Sequence, residues 1–195
     1  MIDNIILKNN IVCLREISRD DVDLIAKVAF DERIWPFLST AIRTRQDVEA
    51  YVETAIANMK SGAEYTFIII DQATGSVVGS TRFMDISRQH NRLEIGSTWI
   101  TPNYWRTAIN TNCKYLLLEY CFEILDMKRV QIKTDNENER SKQAIARIGA
   151  KFEGILRQHM TRKDGTIRDT AMFSVVHTEW QETKVHLQKL LGHYC

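Results

Sequence analysis

The run ITPNYWRTAINTNCKYLLL, from Ile100 to Leu118, joins a strand-like segment to an amphipathic helical one. Thr107, Asn110, Thr111 and Asn112 are weak helix formers, yet they stand where the helix begins. The chemistry such a junction offers belongs to the backbone. The first turn of a helix leaves N–H groups without intrahelical partners, and the macrodipole adds positive charge to them. Together they bind phosphate-like anions, each favourable exposed charge contributing roughly 0.3–1 kcal/mol. Side chains there must be small or turned away: Thr107 and Ala108 qualify, and Asn110 tolerates unusual dihedrals. The same residues also read as an ordinary connection capped by Asn110 or Thr111. Asn138 and Ser141 form a second polar pair, with the spacing of a helix cap and the third or fourth residue behind it.

Alternating element types must position these residues. IVCLREI from Ile11 reads as a strand, and Ser18 caps a helix through DDVDLIAKVAF with acids in its first turn. Thr44 and Asp47 make a capping box for a helix that gathers Val48, Tyr51, Val52, Ala55, Ile56 and Met59 on one face. YTFIIID, SVVGSTRFMDI and RLEIGSTWI are strand-like, the first two joined by a turn at QATG. A helix from about Thr111 follows, with Cys113, Leu116, Leu117, Tyr120, Cys121 and Ile124 expected on its buried side. RVQIKTD is a strand, and Ser141 to Ile148 a short helix that Gly149 can end in the left-handed conformation. KFEGILRQHMTR and TIRDTAMFSVV flank a hairpin turn at Lys163 to Gly165, and Thr178 opens a last helix.

Composition narrows the classes. The chain has 195 residues, 44% apolar and 26% charged, which fits one soluble domain over residues 1–195. A net charge of +1 without a long basic run argues against nucleic acid or an anionic membrane as partner. No apolar stretch is long enough to span a bilayer, and the N-terminus carries no signal-peptide pattern, so the expected compartment is the cytoplasm. Cys13, Cys113, Cys121 and Cys195 are scattered and read as small thiols rather than metal ligands or disulfides. His177, His186 and His193 have no helix-face pairing, so no metal is expected.

From Leu93 to Val176 the chain resembles the GNAT acyltransferase superfamily, in particular its RimJ/RimL-type branch of ribosomal-protein N-terminal acetyltransferases. EIGSTWITPNYW resembles the family's strand and its lead into the phosphate loop. NTNCKYLLLEYCFEILDMKRVQIKTDNENERSKQAIARIGAKFEGILR resembles the helix, strand, N-x-x-S helix and glycine turn that follow. The order and spacing of these pieces carry the resemblance. One departure stands out. The family's loop is Q/R-x-x-G-x-G/A, and the best register puts Trp105, Ala108 and Asn110 at the named positions, so both glycines are missing. Glycine there permits close approach and dihedrals closed to other residues, so weaker phosphate binding is expected.

The resemblance implies acetyl-CoA as cosubstrate and a splayed pair of parallel strands that holds it. The phosphates would lie on Trp105, Arg106, Thr107, Ala108, Ile109, Asn110 and Thr111, and the pantetheine arm along Trp99, Ile100 and Thr101. Asn138 would contact the arm, and the Ser141 hydroxyl would protonate the leaving thiolate. The branch's usual catalytic glutamate falls on Met160, whose thioether takes no proton. Glu94 ranks first as replacement base and His159 second, the latter turned to the opposite face unless a bulge intervenes; Asp169 is a third option. A free α-amine, with a pKa near 8, also reacts with little help. Trp35, Pro36, Arg43 and Arg45 lie in a segment that commonly lines the acceptor site.

The reading is therefore an α+β fold: one GNAT-like domain, its mixed, mostly antiparallel sheet flanked by helices on both faces. Its expected activity is acetyl transfer to a primary amine, on a protein N-terminus or a small molecule. A non-catalytic CoA-binding or regulatory protein is the alternative. The apolar residues Val185, Leu187, Leu190 and Leu191 of the last helix leave monomer and homodimer both open.

Overall fold

The computed structural model describes residues 5–192. Eight strands form one sheet: β1 (Ile6–Lys8), β2 (Val12–Glu16), β3 (Tyr65–Asp71), β4 (Val77–Ser87), β5 (Arg92–Ile100), β6 (Arg129–Asp135), β7 (Lys151–Thr161) and β8 (Ile167–Val176). Their order is β1-β2-β3-β4-β5-β6-β8-β7, and every neighbouring pair is antiparallel except β5 and β6. Helices α1 (Val22–Ala29) and α2 (Arg45–Ser61) cover one face, packing Ile25, Ala29, Val48, Val52 and Ala55 on Ile17, Ile68, Val77 and Trp99. Helices α3 (Ala108–Glu119) and α5 (Trp180–Gly192) cover the other, where Leu117, Cys121, Trp180 and Leu187 meet Leu14, Phe67, Phe83, Leu93, Ile95 and Val130. Helix α4 (Glu139–Arg147) follows β6 and sends Ile145 into that second core. Cys113 and Cys121 are buried free thiols and Cys13 is half-buried, while Cys195 and His193 lie outside the described residues. No helix among the described residues is long and apolar enough to cross a membrane.

The cap at Thr44 with Asp47 forms as its spacing predicts, whereas Ser18 caps a 3-10 turn (Arg19–Asp21) and α1 begins behind it at Val22. Other helix boundaries also differ from the sequence reading, and α4 opens at Glu139 rather than Ser141. Helix α3 starts at Ala108 rather than near Thr111, because Thr107 takes the cap and accepts from the Ile109 amide at 3.4 Å. A π-turn over Tyr120–Ile124 then adds a residue to the helical repeat and turns Ile124 outward, 68% exposed, away from the face its spacing assigns it. A 3-10 turn (His177–Glu179) takes up Thr178, and α5 begins behind it at Trp180. Leu187 and Leu190 of α5 pack on this domain, whereas Val185 faces outward.

The β5–β6 pair sets the architecture. Its parallel ladder comprises Arg92 with Arg129, Leu93 with Val130 and Glu94 with Gln131, and then stops. Just beyond it, β5 carries an extra residue against β4: Ser80 faces Trp99 while Arg82 faces Gly96, and Ser97 adopts φ 48°. A bulge bends its strand and sharpens the twist, which here carries β5 away from β6. On the other flank β4 approaches closely, and a Cβ on Gly79 would lie 2.1 Å from the Trp99 carbonyl oxygen. Gly79→Ala should therefore destabilise the protein by about 1–3 kcal/mol through overpacking. The expected result is a lower urea midpoint with an unchanged m-value; an unaltered midpoint would show that β4 and β5 can separate without penalty.

Candidate active site

Where β5 and β6 part, a cavity of about 950 Å³ opens. Its walls are β5 from Ile95 to Ile100, β6 from Ile132 to Thr134, the approach to α3, helix α4, and Ile34, Phe37 and Leu38 from the connection after α1. Along β5 the hydrogen-bonding direction alternates. The Thr101 amide donates to Val78 O at 2.8 Å, so Thr101 and Trp99 turn their backbone toward β4, while Thr98 and Ile100 turn theirs into the fork. The strand edge offered to a ligand is thus Thr98 and Ile100, rather than the expected run of Trp99, Ile100 and Thr101. Thr101 is not on the cavity wall. Trp99 reaches it from the α2 side, packed on Trp35 at 5.4 Å and donating its indole N–H to the Tyr51 hydroxyl at 3.3 Å.

The approach to α3 resolves the missing glycines. Ala108 and Asn110 lie inside the first turn of the helix, and neither has a positive φ. The left-handed residue is Arg106, at φ 63°. The unusual backbone conformation has moved off the glycine positions, so neither needs the freedom that glycine provides. Among the described residues the amides of Arg106, Thr107, Ala108 and Asn110 find no protein acceptor. Trp105, Arg106, Thr107 and Asn110 line the cavity, whereas Ala108, Ile109 and Thr111 do not. Ile109 is in the core, and the Thr111 hydroxyl accepts from Arg147 at 3.0 Å. Trp105 ties the loop to the fork by donating its indole N–H to Ile100 O at 2.7 Å. Its ring carries the Arg140 guanidinium 3.7 Å above the centroid, which brings a cation from α4 to the loop.

Asn138 caps α4, its Oδ1 accepting from the Ser141 amide at 3.1 Å, and both residues line the cavity. The candidate bases are placed differently. Glu94 is 2% exposed and lies on the opposite sheet face from α3, its Oε2 holding Lys133 at 2.9 Å and Gln131 at 3.1 Å. Its carboxylate rests against Gly96, where a Cβ would come within 2.8 Å of Oε1. Glu94 is therefore placed to position Lys133, which does reach the cavity, and does not itself line the wall. His159 is exposed on β7, and neither it, Met160 nor Asp169 lines the cavity. A bulge does interrupt β7, with Gln158 at φ 51° and its amide on Asp169 Oδ1 at 2.7 Å, yet it leaves His159 outside. In the connection between α1 and α2 Trp35 is buried, and Arg45, the first residue of α2, is paired with Asp23 and Glu49.

Sequence reasoning missed Lys114. It sits one helical turn beyond Asn110 on the cavity side of α3 and donates to Thr98 Oγ1 at 2.8 Å. Only 5% of it is exposed, and among the described residues no carboxylate lies within ion-pair distance. Burial pushes its ammonium down to about 8. The signal was the i, i+4 spacing from Asn110, which puts both side chains on one face.

The sequence matches a family model described as an acetyltransferase (GNAT) domain over residues 12–151. The crystal structure of a GCN5-related N-acetyltransferase from Brucella melitensis superposes with a TM-score of 0.89 at 32% identity, covering 96% of this chain and 85% of that one. YoaA, an uncharacterized N-acetyltransferase of Bacillus subtilis, is 25% identical over 174 residues, 88% of this chain and 96% of its own length. The spermidine N(1)-acetyltransferase of Escherichia coli is 22% identical over 148 residues, 74% of this chain and 75% of its own.

A buried ammonium without a counterion destabilises the ligand-free fold. The folded pKa of Lys114 lies below the ordinary 10.5, so the unfolded chain binds more protons between pH 8 and 10.5. Stability from this group rises through that window, and the full penalty, on the order of 3 kcal/mol, applies below it. Lys114→Met should stabilise the ligand-free protein by about 1–3 kcal/mol at pH 7, with a smaller gain at pH 10. Urea titrations at the two pH values measure the difference; an equal gain at both would contradict a charged, buried Lys114.

Proposed function

The chain belongs to the GNAT acetyltransferase family, and from that premise we propose that it moves an acetyl group from acetyl-CoA to a primary amine by direct attack. The observation that carries this reading is the fork: a strand edge with free amides at Thr98 and Ile100, facing two helix starts across one cavity. The CoA diphosphate fits the unpartnered amides of Arg106, Thr107, Ala108 and Asn110, with Arg106 and Arg140 supplying positive charge. The pantetheine arm then runs inward between β5 and α4, its amides pairing with the strand edge. A fork-facing amide polarises the thioester carbonyl, as preorganised donors do for a developing oxyanion. The amine nitrogen bonds to the carbonyl carbon and the C–S bond breaks; the Ser141 hydroxyl passes its proton to the departing sulfur and regains one from water, which also takes the proton that the nitrogen sheds in becoming an amide.

The nucleophile must arrive largely deprotonated. Glu139 is the one acid on the cavity wall among the described residues, it pairs with Lys142 at 2.6 Å, and no histidine lines the cavity. The cavity also carries Arg106, Lys114, Lys133, Arg140 and Arg147. Such a lining disfavours a polycation like the substrate that the spermidine relative's name states. Ile34, Phe37, Leu38 and Trp99 form an apolar wall beside the fork. The fitting acceptor is an amine on a neutral or anionic body with an apolar group next to it, such as a peptide α-amine behind an apolar first residue.

Thiol release from acetyl-CoA with a panel of amines tests the reading. Peptides with apolar first residues should turn over and spermidine should not; tight CoA binding with no turnover across the panel would favour the non-catalytic alternative. At saturating acetyl-CoA, kcat/KM for the amine should rise tenfold per pH unit and level off at the acceptor's own pKa, about 8 for an α-amine. Two acceptors of different pKa separate this from an enzymic base, which would give both the same inflection. Ser141→Ala should lower kcat about 10- to 100-fold, with KM for acetyl-CoA nearly unchanged. A change confined to KM would make Ser141 a binding residue only.

A further inference from the structure

Two cations are buried in the described protein, Arg82 and Lys114. Arg82 is matched by Glu64 at 2.9 Å. Lys114 has the Thr98 hydroxyl alone, and that hydroxyl is itself 2.8 Å from the hydroxyl of Thr81. An ammonium has three donors, so two remain for whatever fills the cavity. A buried charge is normally paired or fully hydrogen-bonded, and here the missing acceptors lie on the side of the cavity.

Position along α3 narrows what those acceptors are. Lys114 lies four residues past Asn110, roughly 6 Å deeper along the helix axis than the amides that suit the phosphates. Thr98, which it touches, belongs to the free strand edge. An acceptor at this depth and next to that edge fits the arm of the acyl donor, which carries two amide carbonyls and a thioester carbonyl and no negative charge. We propose that the Lys114 ammonium is the charged donor that grips a carbonyl oxygen of the pantetheine arm, one helical turn inside the phosphate loop. This assignment rests on the reading of the cavity as an acetyl-CoA site. It gives the uncompensated lysine a role: the ligand supplies the hydrogen bonds that the protein withholds.

The test compares two ligands on two proteins by calorimetry. Acetyl-CoA carries the arm, whereas adenosine 3′-phosphate 5′-diphosphate carries the phosphates without it. Lys114→Met keeps the length of the side chain, and thermal melts establish that it folds. A charge-assisted hydrogen bond lost without replacement corresponds to about 10- to 100-fold weaker binding. Acetyl-CoA should weaken by that factor while the truncated nucleotide binds both proteins alike. Equal weakening of both ligands would place Lys114 on the phosphates and overturn the proposal, and unchanged affinity for both would overturn it equally. Failure of the unmodified protein to bind either ligand would instead remove the cavity's assignment to CoA, and the role of Lys114 with it.

Discussion

A parallel ladder that ends after three residue pairs is the constraint around which this molecule is organised. Backbone amides inside a protein must find acceptors, and those of Thr98 and Ile100 face a strand that has already turned away. The bulge at Ser97 bends β5, and the pairing of Gly79 with Ile100 and of Ser80 with Trp99 holds the opposite edge, so β5 cannot swing back without disturbing β4. What remains is a sheet opened at one place, with a ligand as the natural third strand. The interdigitated cores on both faces keep the opening in register. Neither core fills it, because the helices that would cover it present their N-terminal turns instead.

Electrostatics follow from that geometry. Two helix starts, three arginines and two lysines surround the opening, and the one acid on its wall among the described residues is already paired. In the ligand-free fold this concentration of positive charge is unfavourable, most of all at Lys114, where burial and the lack of a counterion act together. Sites that bind anions and polarise carbonyls commonly trade stability for function in this way. Glu94 fits the same picture. Its carboxylate compensates Lys133 behind the fork, which leaves it poorly placed to take a proton from a substrate.

Much of this was legible in the sequence, for identifiable reasons. The strands and the caps at Ser18 and Thr44 follow from alternation and hydrogen-bonding side chains, both of which are local. The mixed sheet and its fork came through family resemblance, since no local pattern reports which strands lie side by side. The start of α3 was misplaced because Thr107 competes for the cap with Asn110 and Thr111, and spacing alone does not rank them. The bulge at Ser97 and the left-handed Arg106 carry no glycine to mark them, so the residue types hid the two conformations that shape the site. Lys114 was passed over, because burial beside a cavity depends on tertiary contacts.

The central claim is that β5 gains its missing partner from the acyl donor. Amide hydrogen exchange at Thr98 and Ile100, followed by nitrogen–proton NMR with and without saturating acetyl-CoA, addresses it directly. Both amides should exchange slowly only in the complex, while Trp99 and Thr101, already turned toward β4, change little. Binding that moves the resonances of Arg106 to Asn110 but leaves Thr98 and Ile100 exchanging at their free rates would contradict the account.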